Sequence, residues 1–293
     1  NRRSAYFFAV NPRGSRVDAL VRYNDFQKNW DTIWQARAKI DDLGWVAEIE
    51  IPFESIAFDP EIDIWGFNIY RVIRRVNERD RWTDIDINHR FGNMAEAGDL
   101  AGMLGAKQGW GLDIIPTLSV SRIDDEVADE HEFDAKPGGD IFYNPTPSIT
   151  GSFTANTDFA DAEVDQFQVN LTRFALFYPE TRPFFLRDAT IFDFGGLDRN
   201  GRPFFSRRIG LVGGEEGPLL FGGKVTGTEG RINFGLLETW TGSGQGVGQK
   251  SLGVERVTVN VGRESSVGAI VTHGDPESDQ DNVLFGFDGL YRN

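Results

Sequence analysis

Cysteine is absent from this 293-residue chain, which excludes disulfides, thiolate metal sites and a cysteine nucleophile. No run of about 18 apolar residues occurs, so no transmembrane helix is encoded. A membrane-spanning β-barrel is untouched by that absence, because its strands need only alternate. Positive charge is scarce: 30 Lys and Arg stand against 45 Asp and Glu, for a net charge of −15 and a pI near 4.7. Nucleic-acid affinity comes largely from basic side chains displacing counterions, so nucleic acid is not an expected partner. The histidines, His89, His131 and His273, form no pair at metal-ligand spacing, which argues against zinc. Neither a Gly-x-Ser-x-Gly elbow nor a phosphate loop occurs, and no catalytic apparatus is visible. No signal peptide opens the chain. Asn1-Arg2-Arg3 runs at once into a strand-like stretch, an opening expected of a chain cut inside a domain.

What is present reads as all-β. Hydrophobics at 40 % and charged residues at 26 % are ordinary for a folded protein. The 34 glycines, the 13 % aromatics and the β-branched residues recur in short alternating runs separated by turn residues. Helical periodicity is nearly missing; Pro52 to Ala57 hints at one helical turn. The length predicts two structural units, and the texture changes near Gln108.

Residues 1–107 read as part of a β-sandwich. Ser4–Val10 and Ser15–Tyr23 flank Asn11-Pro12-Arg13-Gly14, a turn tetrad with Pro presetting φ and Gly supplying a permissive position. Trp34, Ala36, Ala38 and Ile40 alternate up to Asp41-Asp42-Leu43-Gly44, after which Trp45, Ala47, Ile49 and Ile51 resume on one face. Trp65 to Ile73 forms the next strand of the meander.

Residues 108–293 read as the opening strands of an antiparallel transmembrane β-barrel. Strands here reach about ten residues, the membrane-spanning length. Ile149, Gly151, Phe153 and Ala155 oppose Ser148, Thr150, Ser152, Thr154 and Asn156. Phe167, Val169 and Leu171 oppose Gln168, Asn170 and Thr172, and Phe221, Gly223 and Val225 oppose Lys224, Thr226 and Thr228. The polar sets are mostly hydroxyl and amide, which suits a lumen. Loop lengths give a second check, since such barrels have short periplasmic turns and long outer loops. With Trp110–Arg122 running outward, Ile123–Gly139, Asp158–Asp165, Val212–Gly217, Ser243–Lys250 and Asp275–Asp281 fall outside. Asn144–Pro147, Glu229–Arg231 and Arg263–Ser265 fall on the periplasmic side. This scheme makes Gln166–Thr172 an inward strand and Pro203–Leu211 an outward one. Residues 179–202 fit neither class, being too long for a turn and too aromatic for a solvated loop. They are expected to fold into the barrel or dock on the sandwich as a plug or docking segment.

Several stretches resemble one family. Arg2-Arg3-Ser4-Ala5-Tyr6, Val10-Asn11-Pro12, Asp18-Ala19-Leu20, Gly44-Trp45 to Ile51-Pro52-Phe53 and Trp65-Gly66-Phe67-Asn68 with Arg74-Arg75 carry the first half of the likeness. Asn156-Thr157-Asp158-Phe159, Glu163-Val164-Asp165, Asn170 to Phe174, Pro179 to Leu186 and Phe205 to Gly210 carry the second. The chain resembles bacterial proteins in which a carbohydrate-binding family 9-like domain precedes the barrel called domain-of-unknown-function family 5916. The resemblance implies an outer-membrane location with the sandwich in the periplasm, outer-membrane lipid as a partner, and further sequence before Asn1 and after Asn293. It implies no settled activity, because fold likeness does not carry function.

Candidate sites follow from residue chemistry. Sugar modules stack aromatic faces on pyranose rings; Trp30 and Trp82, beside polar residues, are the candidates, while Trp45 and Trp65 read as core. Arg182, Arg187, Arg207 and Arg208, interleaved with phenylalanines, offer forks for an anionic ligand, against the plainer reading of internal pairing with carboxylates. Asp158, Asp161, Glu163 and Asp165 cluster oxygen ligands in one loop, so calcium is a possible cofactor and a solvated loop the ordinary alternative. The leading functional expectation is a barrel with a glycan- or partner-binding sandwich, serving binding or passage across the outer membrane. The alternatives are an architectural anchor for a surface assembly without sugar specificity, where another envelope protein is the partner, and, behind both, a secreted glycosidase using Asp161 and Glu163.

Overall fold

The computed structural model describes residues 4–22, 25–84, 91–125, 130–157, 178–197, 201–212, 215–243, 248–261, 265–276, 278 and 280–291. The chain is all-β, and it begins with short ladders. Strands β1 (Ser4–Val10), β2 (Arg16–Arg22) and β3 (Asp25–Gln27) form a three-stranded antiparallel sheet. The expected tetrad makes the first turn. Asn11 Oδ1 accepts from the amides of Arg13 (2.9 Å) and Ser15 (3.0 Å), and Gly14 sits at φ +83°, a conformation that a Cβ would disfavour. Strands β4 (Gln35–Asp41) and β5 (Gly44–Glu50) form the second expected hairpin, with Asp41 Oδ1 accepting from Leu43 and Gly44 amides. The helical hint becomes a 3-10 turn at Phe53–Ser55.

The strand expected over Trp65–Ile73 is broken in two. It yields β6 (Trp65–Phe67) and β7 (Tyr70–Ile73), followed by β8 (Glu78–Arg81) and β9 (Gly98–Leu100); β6 pairs with β9 and β7 with β8. At the break, Asn68 Oδ1 accepts the Ile69 amide at 2.9 Å. A short side chain that bonds the backbone competes with the ladder there. Aromatic pairs fill the interior of this half: Phe8 with Trp34 at 5.2 Å between ring centroids, and Phe58 with Trp65 at 5.1 Å.

The second half is one sheet. Strands β10 (Leu112–Asp125), β11 (Glu130–Thr146) and β12 (Ile149–Ala155) come first. A two-residue ladder of β13 (Leu211–Val212) with β14 (Glu215–Glu216) follows, then β15 (Leu219–Glu229), β16 (Ile232–Thr241), β17 (Lys250–Val261), β18 (Ser265–His273) and β19 (Val283–Leu290). Eight of these pair antiparallel in the order β10-β11-β12-β15-β16-β17-β18-β19, and β10 and β19 are the edges of the described sheet. Connections 147–148, 230–231 and 262–264 are short; 242–249 and 274–282, at the other end, are longer.

Three expectations about this half are corrected or fall outside it. The acidic stretch Ile123–Gly139 is strand on both sides of residues 126–129, with Asp125 opposite Glu130. Charged side chains mark exposure, and a backbone ladder does not need apolar ones. Pro203–Leu211 is not a spanning strand: it carries a 3-10 turn at Ser206–Arg208, and the Arg182 guanidinium takes the carbonyls of Ser206 and Ile209 that a ladder would use. The expected strand at Gln166–Thr172 lies outside the described residues. In the sheet, β12 pairs directly with β15.

Candidate functional site

Alternation in the eight-stranded sheet produces two faces of reversed polarity. Thr154, Thr239 and Lys224 are 0 %, 0 % and 2 % exposed, with Thr150, Ser152, Thr226, Arg256, Thr258 and Asn260 also buried. Their neighbours along the strands point the other way: Phe153, Leu236 and Val257 are each 47 % exposed, and Phe285 is 72 % exposed. The inner face is mainly polar, with Leu219, Leu237, Leu252, Val254 and Ile270 as its apolar members, and the outer face is mainly apolar, with Glu238, Glu255 and His273 as exceptions.

Residues 178–197 and 201–210 lie on the inner face. Phe184, Phe185, Phe192 and Ile209 form one buried cluster with Leu219, Leu237, Leu252, Val254 and Ile270. A fully buried Phe contributes about 1.5–3 kcal/mol, so this is the core of the second half. Glycines on the inner face make room for the rings. A Cβ on Gly235 would lie 2.8 Å from the Phe192 ring, and one on Gly286 2.7 Å from that of Phe194. The helical turn Pro183–Leu186 starts with Pro at its first position, where the missing N–H costs nothing.

Polar contacts then fix the segment. Lys224 Nζ, in the same inward row as Ser152, donates to the carbonyl oxygens of Phe184 and Arg187. Thr226 Oγ1 donates to Asp188 Oδ2 at 2.8 Å, and Asp188 itself is held at φ +56°. Arg187 Nη2 donates to Asp113 Oδ2 of β10 at 2.7 Å and its guanidinium lies 4.1 Å from the Phe142 ring centroid. Eight residues on, the Gly195 amide donates to Asp288 Oδ2 of β19 at 2.8 Å. One short segment is thereby tied to both edge strands. Ser152 Oγ and Arg187 Nη1 are buried on this face without a hydrogen-bond partner among the described residues.

The segment also meets the first half of the chain. Asn29 Nδ2 donates to the Glu180 carbonyl at 2.8 Å, and the Phe58 amide donates to the Pro147 carbonyl at 2.8 Å, at the short-turn end of the sheet. Tyr6 is half-buried here, and its enclosed hydroxyl accepts from the Ala57 amide. Burial and the nearby Asp188 carboxylate push that hydroxyl well above its usual range. Burial by itself would raise the Glu180 carboxyl, but the Arg182 guanidinium and its hydrogen bonds outweigh burial and hold it below the usual carboxylate range.

The sequence candidates fall in different places. Trp30 is 5 % exposed and packs against Tyr6 and Phe8 at 5.2 and 6.2 Å, which leaves it in the core with no face for a sugar ring. Trp82 is 56 % exposed beside Phe67 and above Gly98, where its ring occupies the space of a Cβ. Arg182 is buried and committed to Glu180, Ser206 and Ile209. Arg187 is committed to Asp113, Arg207 donates to the Pro179 carbonyl at 2.8 Å, and Arg208 is exposed. Arg182, Arg187 and Arg207 thus converge on internal partners. Asp158, Asp161, Glu163 and Asp165 lie outside the described residues, and the described residues contain no group of three or more His, Asp or Glu suited to a metal.

Sequence reasoning missed the inner-face anchors. Lys224 was visible as the one cation in a threonine row, which is the signal to follow. Asp188 gave none, because its left-handed backbone follows from tertiary contacts. Comparison with known proteins returns no matching curated protein and no matching solved structure. Residues 111–218, which contain β10 to β14 and the whole inner-face segment, match the model of the family described as Domain of unknown function (DUF5916).

Proposed function

We propose that this chain belongs to an outer-membrane barrel protein whose amino-terminal sandwich, carbohydrate-binding family 9-like by resemblance, lies in the periplasm and recognises a glycan or partner in binding or passage. The observation that carries this reading is the reversed polarity of the eight-stranded sheet. A mainly apolar face left outward over eight strands, interrupted at Glu238, Glu255 and His273, is costly in water and matched in a bilayer, where barrel strands alternate apolar-out and polar-in. The sandwich meets the sheet at its short-turn end, the periplasmic end of such barrels. Trp82, 56 % exposed, is the most exposed of the described aromatics in residues 4–84 and 91–107 and the candidate for stacking on a sugar ring. The test is fractionation of the full-length protein with gel migration before and after heating. Outer-membrane recovery and heat-modifiable migration are expected; a soluble protein with unchanged migration contradicts the proposal.

A second reading, an anchor or scaffold of a surface assembly, is favoured by Phe184, Phe185, Phe192 and Ile209 packing against the inner face. Planar-bilayer recordings separate the two. Solute-permeable conductance supports passage, and a silent but inserted protein supports the anchor.

A further inference from the structure

A groove of about 470 Å3 runs over the outward face of the sheet, lined by Ile141, Tyr143, Phe153, Val225, Leu236 and Trp240. Its depth comes from missing side chains. Gly151 and Gly223 both point outward; a Cβ on Gly223 would meet nothing within 4 Å, and one on Gly151 only the Tyr143 carbonyl at 3.6 Å. One outward row crosses the sheet as Phe153, Gly223, Glu238, Gly253 and His273. Glu238 therefore stands between two bare positions. On one side its carboxylate leans over Gly253 to His273, Oε2 to Nε2 at 2.8 Å, where a Cβ would collide with both groups. On the other side, toward Gly223, the groove is open.

The ionisable residues lining the groove are Glu238 and Lys224, and Lys224 directs its ammonium inward to the Phe184 and Arg187 carbonyls. Glu255, in the adjacent outward row opposite Leu236, is a second exposed carboxylate. Lys224, Lys250 and Arg256 are the basic residues of β12 and β15 to β18, and alternation sends all three inward. Two carboxylates and one imidazole leave the end negative whether or not the imidazole is protonated. Phe221 and Trp240, stacked at 4.7 Å between centroids, edge the same end with aromatic faces that attract cations.

We propose that this groove holds one membrane lipid, its acyl chain laid over Gly151 and Gly223 and its ammonium headgroup at Glu238. This rests on the membrane reading above. An apolar channel that ends in net negative charge beside aromatic rings complements an amphiphile with a cationic head, and an anionic headgroup is repelled there.

The test uses the full-length protein reconstituted in bilayers of equal phosphatidylethanolamine and phosphatidylglycerol, then stripped with detergent and weighed with its retained lipid by native mass spectrometry. Retention of phosphatidylethanolamine over phosphatidylglycerol by about fivefold is expected, the scale of one partly exposed ionic contact. Glu238→Gln brings the ratio toward parity, and Gly223→Leu, which fills the groove, removes retention while heat-modifiable migration is kept. Equal retention of the two lipids by the unaltered protein, or a ratio unchanged in Glu238→Gln, overturns the proposal while leaving the membrane reading intact. Failure to insert into any bilayer overturns both.

Discussion

Arg256 of β17 and Asp288 of β19 meet across the intervening strand, Nη1 to Oδ1 at 2.7 Å, over the bare backbone of Gly268. Arg256 is 2 % exposed and Asp288 16 %, so the guanidinium is the buried partner on the inner face. Removing one partner of a buried ion pair strands the other, which costs about 3–5 kcal/mol. Asp288→Ala is therefore expected to destabilise the protein by that amount. Asp288→Asn, which keeps an acceptor, costs less. Denaturant unfolding of the two variants in detergent measures the difference.

Lys224 ties the inner-face segment to the wall. Hydrogen bonds from charged groups are worth about 1.5–3 kcal/mol, so Lys224→Met releases the Phe184 and Arg187 carbonyls and loosens the segment. Limited proteolysis is expected to cut within residues 187–197 in the variant and to spare that stretch in the unaltered protein.

Two glycines give opposite outcomes for the same substitution. Gly235→Ala drives a methyl to 2.8 Å from the Phe192 ring, and such overpacking costs about 1–3 kcal/mol. Gly223→Ala meets nothing within 4 Å and gains the entropy that glycine loses in a strand, about 0.5–1 kcal/mol. Paired unfolding curves check the sign of each.

Much of this was legible in the sequence, for a physical reason. The outer and inner rows of β12 and β15 were read directly, since a strand's faces follow from a period of two. The turns at Asn11–Gly14 and Asp41–Gly44 were readable because their residues carry their own hydrogen-bond partners. The fate of Pro203–Leu211 was not, because the groups that satisfy its carbonyls belong to Arg182, more than twenty residues away. Trp30 and Trp82 looked alike in sequence, each beside polar residues. Only the packing of Tyr6 and Phe8 over Trp30 separates them.

That separation is testable. Trp30→Ala removes a buried aromatic and is expected to cost about 3–5 kcal/mol. Trp82→Ala is expected to cost about 0.5–1.5 kcal/mol, the worth of its one aromatic pair with Phe67, and to abolish any signal the unaltered protein gives on a glycan array. A glycan signal unchanged in Trp82→Ala removes that residue from the site.

Glu180 supplies a pH dependence. Its carboxyl is held below the ordinary value of 4.5 in the folded protein. The unfolded chain then binds the proton more readily, so the stability that Glu180 contributes is present above pH 4.5 and is lost as pH falls through the folded value. Unfolding of the unaltered protein and of Glu180→Gln is expected to converge on acidification and to diverge at neutral pH.

The absence of cysteine makes the central claim directly measurable, because single cysteines can be placed at will. Fluorophores on cysteines at positions 257, 258, 259 and 260 of β17, in bilayers containing lipids with nitroxide-labelled chains, report which face meets the membrane. The account predicts strong quenching at 257 and 259, weak quenching at 258 and 260, and the same alternation between 285 and 286 of β19. Uniformly weak quenching, or strong quenching at the threonine and asparagine positions, contradicts it.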